Sequence, residues 1–440
     1  MNPSIKPRGV IMPVIFSPGP AVRPVASHSL RRALLRRALF ALFAFPLAAP
    51  AVWAEQTEVF GRLEAKSLPA TSYKFSASGD LNGKDWQAVQ KQTEKLATLK
   101  IGSFDGVSVN RWFGSKPIRI HYRMYVNRRE SKGGIVISSG RTEGVSMYQE
   151  LIHDLVRNGY SVYVHDHRGQ GFSSRLLDDD KGYVDDFDNY VLDLDRFVEL
   201  VRASRGTDKR PLYLLAHSMG GAIAARYLEN DASHAFAAAA LVTPMMQPWA
   251  AGGENPDHLE AAVQKYCDDP AWEPPFTIPW LSTRYVPGGK DFDELLRNDR
   301  FEGNGITSSK ERYARNWAAR KAACDGGAYC GSPSAKVASA TVRWLNQACA
   351  ASLRVRGDDA ARIRIPVLLI QGGEDKIVNP QAQTEFCSNA NRKAPAVCTG
   401  FVIPNAQHAV FIESDAIRQT ALASVLDHFD RRATAVQSPK

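Results

Sequence analysis

Between Leu212 and Asn230 the chain changes its hydrophobic period within a few residues, and few folds accept the result. Leu212–Ala216 is a continuous apolar run, which fits a strand buried on both faces, and Met219–Asn230 reads as a helix. The turn between them, Ala216-His217-Ser218-Met219-Gly220-Gly221, carries small residues on both sides of a serine. A strand that enters a helix this abruptly has a crowded, strained backbone, and small neighbours permit it. The turn lifts the serine hydroxyl above the sheet edge and leaves the Met219 N–H free at the helix N-terminus. The usual form is G-x-S-x-G, and Ala216 stands here in place of the first glycine. The competing reading is a serine that only caps the helix.

The surroundings favour the chemical reading, because strands and helices alternate on either side. Strands are expected at 118–126, 134–137, 160–165, 212–216 and 237–242, with helices at 146–158, 189–203 and 219–230. This alternation predicts an open α/β fold: a mostly parallel sheet with helices on both faces and right-handed crossovers. From Pro244 to about Asp359 the alternation stops, and nine of the 25 prolines and five of the eight tryptophans fall there. That stretch reads as a helical cap or lid, with helices at 308–323 and 334–352. Its aromatics, Trp249, Trp272, Trp280, Trp317 and Trp344, suit either a cap core or an acyl-chain wall. Alternation resumes with strands at 365–371 and 400–403 and helices near 380–388 and 414–429. The resulting division is a signal peptide at 1–54, an N-terminal extension at 55–116 with one helix near 85–99, and a first core part at 117–243. The cap at 244–359, a second core part at 360–432 and a disordered tail at 433–440 complete it.

The formal charge of +9 would suggest a nucleic-acid partner. Residues 1–54 hold seven basic residues and no acid, so the rest of the chain carries only +2, and that partner loses its support. The same leader has the layout of an export signal. Arg31, Arg32, Arg36 and Arg37 precede an apolar run from Ala38 to about Ala51, and Val52-Trp53-Ala54 offers small residues for cleavage. A run this short, interrupted by Pro46 and Pro50, falls below the ~20 residues of a bilayer span, the alternative being a retained anchor. The expected location is the periplasm or beyond a bacterial cell, with membrane association left open. Six cysteines, all past residue 260, agree with an oxidising compartment. Cys387 with Cys398, and Cys324 with Cys330, are close enough to pair locally, which leaves Cys267 with Cys349. Fifteen pairings are formally open, and free buried thiols are the alternative.

A serine hydroxyl needs a base, and the base needs an orienting carboxylate. On this kind of sheet the partners follow the serine in the order carboxylate, histidine. Ile370-Gln371-Gly372-Gly373-Glu374-Asp375 ends a buried strand in a glycine turn with carboxylates, and Pro404-Asn405-Ala406-Gln407-His408 follows the next strand. Asp375 is therefore the expected orienter, with Glu374 its rival, and His408 the expected base. His217 should point away from the serine. The oxyanion donors are expected to be the N–H of Met219 and a backbone N–H of Ser138-Ser139-Gly140-Arg141, namely that of Arg141. Neither a metal nor a cofactor is called for, since no zinc-type Cys/His spacing and no G-x-G-x-x-G opening a helix occur. Asp166–Gly171 is read as a structural turn rather than a phosphate cradle, and Asp178-Asp179-Asp180 as a solvated turn.

The residues also resemble a known family, the bacterial lysophospholipases related to monoacylglycerol lipases, within the α/β-hydrolase superfamily. The resemblance spans about residues 100–430. It rests on Asp166–Gly171 with Ser173, on Arg175-Leu176-Leu177, Asp188-Asn189-Tyr190 and Ala216–Gly221, and on Glu374–Val378 and His408 with Glu413 and Asp415. Arg312-Tyr313 and Asn316 add to it within the cap. It implies an α/β-hydrolase fold and a serine hydrolase that cleaves the acyl ester of a lysophospholipid or monoacylglycerol. The implied partner is a lipid-derived ester, with room for peripheral membrane contact through the lid and no obligate protein partner. A carboxylesterase or acyltransferase with the same three residues is the nearest alternative. A catalytically inactive lipid-binding protein on the same scaffold is the alternative of another class.

Overall fold

A computed structural model describes residues 60–66, 73–111, 114–231, 234–248, 267, 279–321 and 335–437. The leader expected at 1–54 and the cysteines 324 and 330 lie outside the described residues. Eleven strands are described: β1 (Gly61–Arg62), β2 (Ala97–Asp105), β3 (Val109–Arg111), β4 (Gly114–Lys116), β5 (Arg119–Asn127), β6 (Gly133–Ser138), β7 (Tyr160–His165), β8 (Leu212–His217), β9 (Ala238–Val242), β10 (Val367–Gly372) and β11 (Cys398–Ile403). Nine form one sheet in the order β1-β11-β10-β9-β8-β6-β7-β5-β2, while β3 and β4 pair separately. Neighbours from β1 through β7 in that order run parallel, and β5 and β2 close the far edge antiparallel.

The strands read as apolar runs because both faces are covered. β6, β7, β8, β9 and β10 are buried at every residue. Along β8, Leu212, Leu214 and Ala216 join Val198 and Ala222 from the helices Asp188–Arg205 and Met219–Asn230. Tyr213 and Leu215 point to the other face, against Leu155 and Leu426 from the helices Gln149–Arg157 and Asp415–Gln437. The chain leaves β6 toward β7 on one side and later places β8 on the other, so β6 is the topological switch. Ligands of open α/β sheets bind at that point, beyond the carboxyl ends of the strands.

Several expected boundaries shift. The 55–116 segment was expected to precede the sheet, yet it supplies both of its edges. The helix near 85–99 spans Gly83–Leu96 and passes directly into β2, which pairs with β5 over nine positions. Only Ala97 of β2 is buried, although Ala97, Leu99 and Ile101 alternate with Thr98 and Lys100, so the apolar face of this edge strand is left largely uncovered. At the opposite edge the two residues of β1 lie beside β11, with the Phe60 ring against Gly400, where a Cβ would come within 2.2 Å of it. The closing helix extends through Gln437, past the tail expected from residue 433.

Between β9 and β10 the described chain is helical, at Pro279–Ser282, Phe292–Arg297, Lys310–Arg320 and Val342–Val355. Trp317, Phe292, Tyr313 and Ala338 form a small core of their own. Trp344, Ala348, Ala351 and Val355 instead join the main core. By packing, the helix Val342–Val355 thus belongs with the main core. Trp249 and Trp272 lie outside the described residues. Two disulfides, Cys267–Cys349 and Cys387–Cys398, match the expected pairs.

The Asp166–Gly171 turn is held by buried charge. Arg168 donates from Nε to Asp193 Oδ2 at 2.7 Å and from Nη2 to Asp193 Oδ1 at 2.8 Å, with both side chains fully buried. Its Nη2 also reaches the Val107 carbonyl at 3.0 Å. Asp166 accepts the N–H groups of Val145 and Phe172 at 2.6 and 2.7 Å. These contacts tie the turn to the loops around Val107, Val145 and Asp193. Arg168→Met should strand the Asp193 carboxylate and cost about 3–5 kcal/mol of stability, read from urea unfolding. A loss under about 1 kcal/mol, within the range of an exposed pair, would contradict the assignment.

Candidate active site

The serine turn has the expected geometry. Ser218 has φ 52° and ψ −124°, in the left-handed region that side chains disfavour. Hydrogen bonds on both sides hold it: Ser218 N–H donates to the Val242 carbonyl, and the Ser218 carbonyl accepts from Gly221 and Met245 N–H at 2.8 Å each. The two glycines are sterically required. A Cβ at Gly220 would fall 2.2 Å from the Ser138 carbonyl oxygen, and one at Gly221 would fall 2.4 Å from the Pro244 Cβ. Ala216, in place of the first glycine of the usual pattern, is fully buried and packs into the main core.

A second close approach positions the carboxylate and the histidine. Gly372 ends β10 and Gly373 follows it, and Cβ atoms there would lie 2.7 Å from the Ala406 oxygen and 2.1 Å from the Pro404 oxygen. The loops that follow β10 and β11 therefore touch backbone to backbone, with Glu374 N–H donating to the Ala406 carbonyl at 2.9 Å. His408 Nδ1 lies 2.8 Å from Asp375 Oδ2, and His408 Nε2 lies 2.9 Å from Ser218 Oγ. Burial pushes the Asp375 carboxyl up, but His408 and the N–H groups of Ile377 and Val378 outweigh it and hold it below the usual range. An ionised carboxylate only accepts, so Nδ1 carries the imidazole proton and the Nε2 lone pair faces the serine hydroxyl. Glu374, the rival carboxylate, is exposed.

Other groups fix the His408 loop. Its carbonyl accepts from Thr243 Oγ1 at 2.8 Å and lies 3.2 Å from His217 Nε2. Glu413, fully buried, accepts from the N–H groups of Gln407, Ser308 and Ser414. Ala409 N–H donates to the Ile306 carbonyl at 2.9 Å, so the cap grips this loop directly. Arg312 on the helix Lys310–Arg320 adds ion pairs to Glu150 at 2.9 Å and Asp415 at 2.7 Å. Ser138-Ser139-Gly140-Arg141 follows β6 at the same sheet edge, and among the described residues no partner takes the backbone N–H of Met219 or Arg141.

Sequence reasoning missed Glu143. Its carboxylate accepts from the Gly140 N–H and the Tyr148 hydroxyl, and it lies 3.0 Å from His217 Nδ1. His217 bridges Glu143 and the His408 carbonyl, with its ring 5.1 Å from that of His408. The available signal was an acid three residues beyond Gly140 in the loop expected to bind the oxyanion. Behind the pair is a cavity of about 30 Å³ lined by Glu143, Tyr148, His217, Asn316 and Phe411, which is room for one water rather than a substrate.

The parallel sheet, the strained serine turn and the histidine and carboxylate on the next two loops define an α/β-hydrolase. The family described as Hydrolase_4, serine aminopeptidase S33, matches residues 129–415, and the chain belongs to it. Lysophospholipase L2 of Escherichia coli (strain K12) is 32% identical over 304 residues, covering 68% of this chain and 80% of that protein. A probable lysophospholipase L2 of Haemophilus influenzae is 29% identical over 321 residues, 72% and 90% of the two chains. A soluble variant of monoglyceride lipase from Saccharomyces cerevisiae, solved with a substrate analog, superposes with a TM-score of 0.56. It has 18% identity over 77% of this chain and 95% of that one, which is a likeness of fold. With these relatives, the chain is a carboxylic ester hydrolase.

The Glu143–His217 pair has a pH signature. Burial pushes the Glu143 carboxyl up, but His217, Tyr148 and the Gly140 N–H outweigh it and hold it near 2. Burial lowers His217, yet Glu143 and the His408 carbonyl raise it above 6.5. A depressed carboxyl stabilises the fold above its ordinary 4.5, and that contribution fades as pH falls toward 2. A raised histidine stabilises fully below 6.5, and its contribution fades as pH rises through its folded value. Glu143→Gln removes both contributions, so its stability deficit should peak between pH 4.5 and 6.5 and shrink on either side. Chemical unfolding of both proteins across that range tests this, and a pH-independent deficit would contradict it.

Proposed function

We propose that this chain cleaves the acyl ester of a lysophospholipid or monoacylglycerol through an acyl-serine intermediate. Ser218 is the nucleophile, His408 the general base and acid, and Asp375 the group that holds the imidazole. The observation that carries the reading is the continuous relay from Asp375 to Ser218, with contacts of 2.8 and 2.9 Å. The lysophospholipase names of its curated relatives support the substrate class.

In the first step a bond forms between Ser218 Oγ and the ester carbonyl carbon while His408 Nε2 takes the hydroxyl proton. The oxyanion that develops is held by the N–H groups of Met219 and Arg141, each such donor being worth about 3–4 kcal/mol in comparable enzymes. The carbon–oxygen bond to the glycerol backbone then breaks, and the leaving alcohol receives the proton from His408. Water attacks the acyl-serine, His408 takes a proton from it, and collapse releases the fatty acid and returns the proton to Ser218. Asp375 remains ionised throughout, stabilising the imidazolium that forms twice per turnover. Export of the chain, argued from residues 1–54, belongs to the same proposal, since lysophospholipids and monoacylglycerols arise at membranes.

A fluorophosphonate should label the folded protein at Ser218, and Ser218→Ala should abolish the labelling. His408→Ala should lower ester turnover more than about a hundredfold, because triad losses usually run far larger. Side-by-side hydrolysis of a lysophospholipid, a monoacylglycerol and a short-chain aryl ester tests the substrate class. Turnover confined to the aryl ester would replace this reading with a small-ester carboxylesterase. Absence of both labelling and turnover would leave a binding protein.

A further inference from the structure

Two arginines at this end of the sheet, Arg320 buried and Arg141 half-buried, lack the carboxylate that Arg168, Arg312 and Arg418 have. Arg141 belongs to the loop that follows β6, and its guanidinium lies over the Trp344 ring at 5.2 Å. Its Nη1 donates to the Ala338 carbonyl at 3.3 Å. Arg320, the last residue of the helix Lys310–Arg320, is 8% exposed, with its guanidinium over Trp317 at 4.2 Å and Phe292 at 5.7 Å. Its Nη2 donates to the Val337 carbonyl at 3.3 Å, and its buried Nε has no hydrogen-bond partner among the described residues. The two side chains thus reach successive carbonyls, 337 and 338, of one stretch of cap backbone.

No carboxylate among the described residues lies within ion-pair distance of either group. The acid in the same loop, Glu143, is already held by Gly140, Tyr148 and His217. The contrast with Arg168, Arg312 and Arg418 is sharp, because each of those buried arginines has a carboxylate at 2.9 Å or closer. Burial pulls both unpaired groups down to about 10, and at Arg320 the charge of Arg141 adds to the drop. Arg320 is buried and Arg141 half-buried, and two neighbouring cations so placed are costly unless an anion joins them. A guanidinium presents a planar fork that matches a phosphate, and stacking on an aromatic ring holds that fork in place. The stem of Arg141 also sets a useful spacing, since it separates that residue's backbone N–H, the assigned oxyanion donor, from the guanidinium. The carbons of glycerol separate an acyl ester from a phosphate on a similar scale.

We propose that Arg141 and Arg320 form a subsite for the phosphate of a lysophospholipid headgroup, so that the enzyme favours phosphate-bearing esters over monoacylglycerols; this rests on the ester-cleaving reading of Ser218. The monoacylglycerol carries the same acyl ester and leaves the pair empty.

The test compares kcat/KM on lysophosphatidylcholine and on a monoacylglycerol of the same acyl chain, for the full chain and for Arg320→Gln. The variant should lose roughly tenfold or more on the lysophospholipid relative to the monoacylglycerol, mainly through KM, the scale of one charged hydrogen bond. Arg320→Lys keeps the stem and the charge but not the fork. It should lose less than Arg320→Gln while still disfavouring the lysophospholipid, and it serves if the glutamine variant does not fold. Glycerophosphocholine should inhibit the wild type competitively and lose that inhibition in the variant. An unchanged ratio, or equal losses on both substrates, makes Arg320 a packing residue and overturns the subsite while the ester reading stands. Inhibition by inorganic phosphate with glycerophosphocholine inert assigns the pair to a free anion and overturns the headgroup. If the wild type cleaves neither ester, the reading of Ser218 fails first and the subsite with it.

Discussion

The backbone of Ser218 is the constraint on which the rest of this structure depends. A serine at φ 52° is unfavourable by itself and persists because its surroundings leave no alternative. β8 is flanked by β6 and β9, its residues are wholly buried, and the helix that follows it is pressed against the Ser138 and Pro244 backbones at Gly220 and Gly221. The strain is thus held by a strand hydrogen-bonded on both sides and buried at every residue. In return the hydroxyl projects above the sheet, where loops from β6, β10 and β11 can reach it.

Those loops are themselves fixed by close backbone contact and by buried charge. Gly372 and Gly373 let the carboxylate loop meet the histidine loop. Thr243 and His217 hold the His408 carbonyl, and Glu413 ties the same loop to Ser308 in the cap. The cap is fastened by Arg312 to Glu150 and Asp415, and Arg418 pairs with Asp154 beneath it. Each of these cations has an anion within reach, and breaking such a pair strands a buried charge. Arg141 and Arg320 depart from that pattern, and they do so next to the chemistry. Elsewhere in the fold arginine serves to fasten loops; here its partner is expected to arrive with the substrate.

The strands and helices of the two core parts were legible because burial on both faces leaves long apolar runs and the helices keep their stripes. Leu212–Asn230 shows this most plainly, since the composition of that stretch admits little besides a strand, a tight turn and a helix. β2 was not legible. Ala97-Thr98-Leu99-Lys100-Ile101 alternates apolar and polar residues as a strand does, but the helix expected at 85–99 runs into the same stretch and masks it. β1 is too short to carry any period. The helix Val342–Val355 was assigned to the cap by its place in the chain, but its apolar face packs on the main core.

The order of the chemical residues was readable from the sequence alone: a serine in a small-residue turn, then a carboxylate after a glycine pair, then a histidine after the next strand. Local chemistry determines these, because each depends on a few neighbours along the chain. The choice of Asp375 over Glu374 depended on which of two adjacent side chains the loop buries, and His217 acquired its role from a glutamate 74 residues away. The unpaired state of Arg141 and Arg320 is likewise absent from any pattern of letters. Whether a charge has a partner depends on distances of a few ångströms between segments far apart along the chain, and only the folded chain sets those distances.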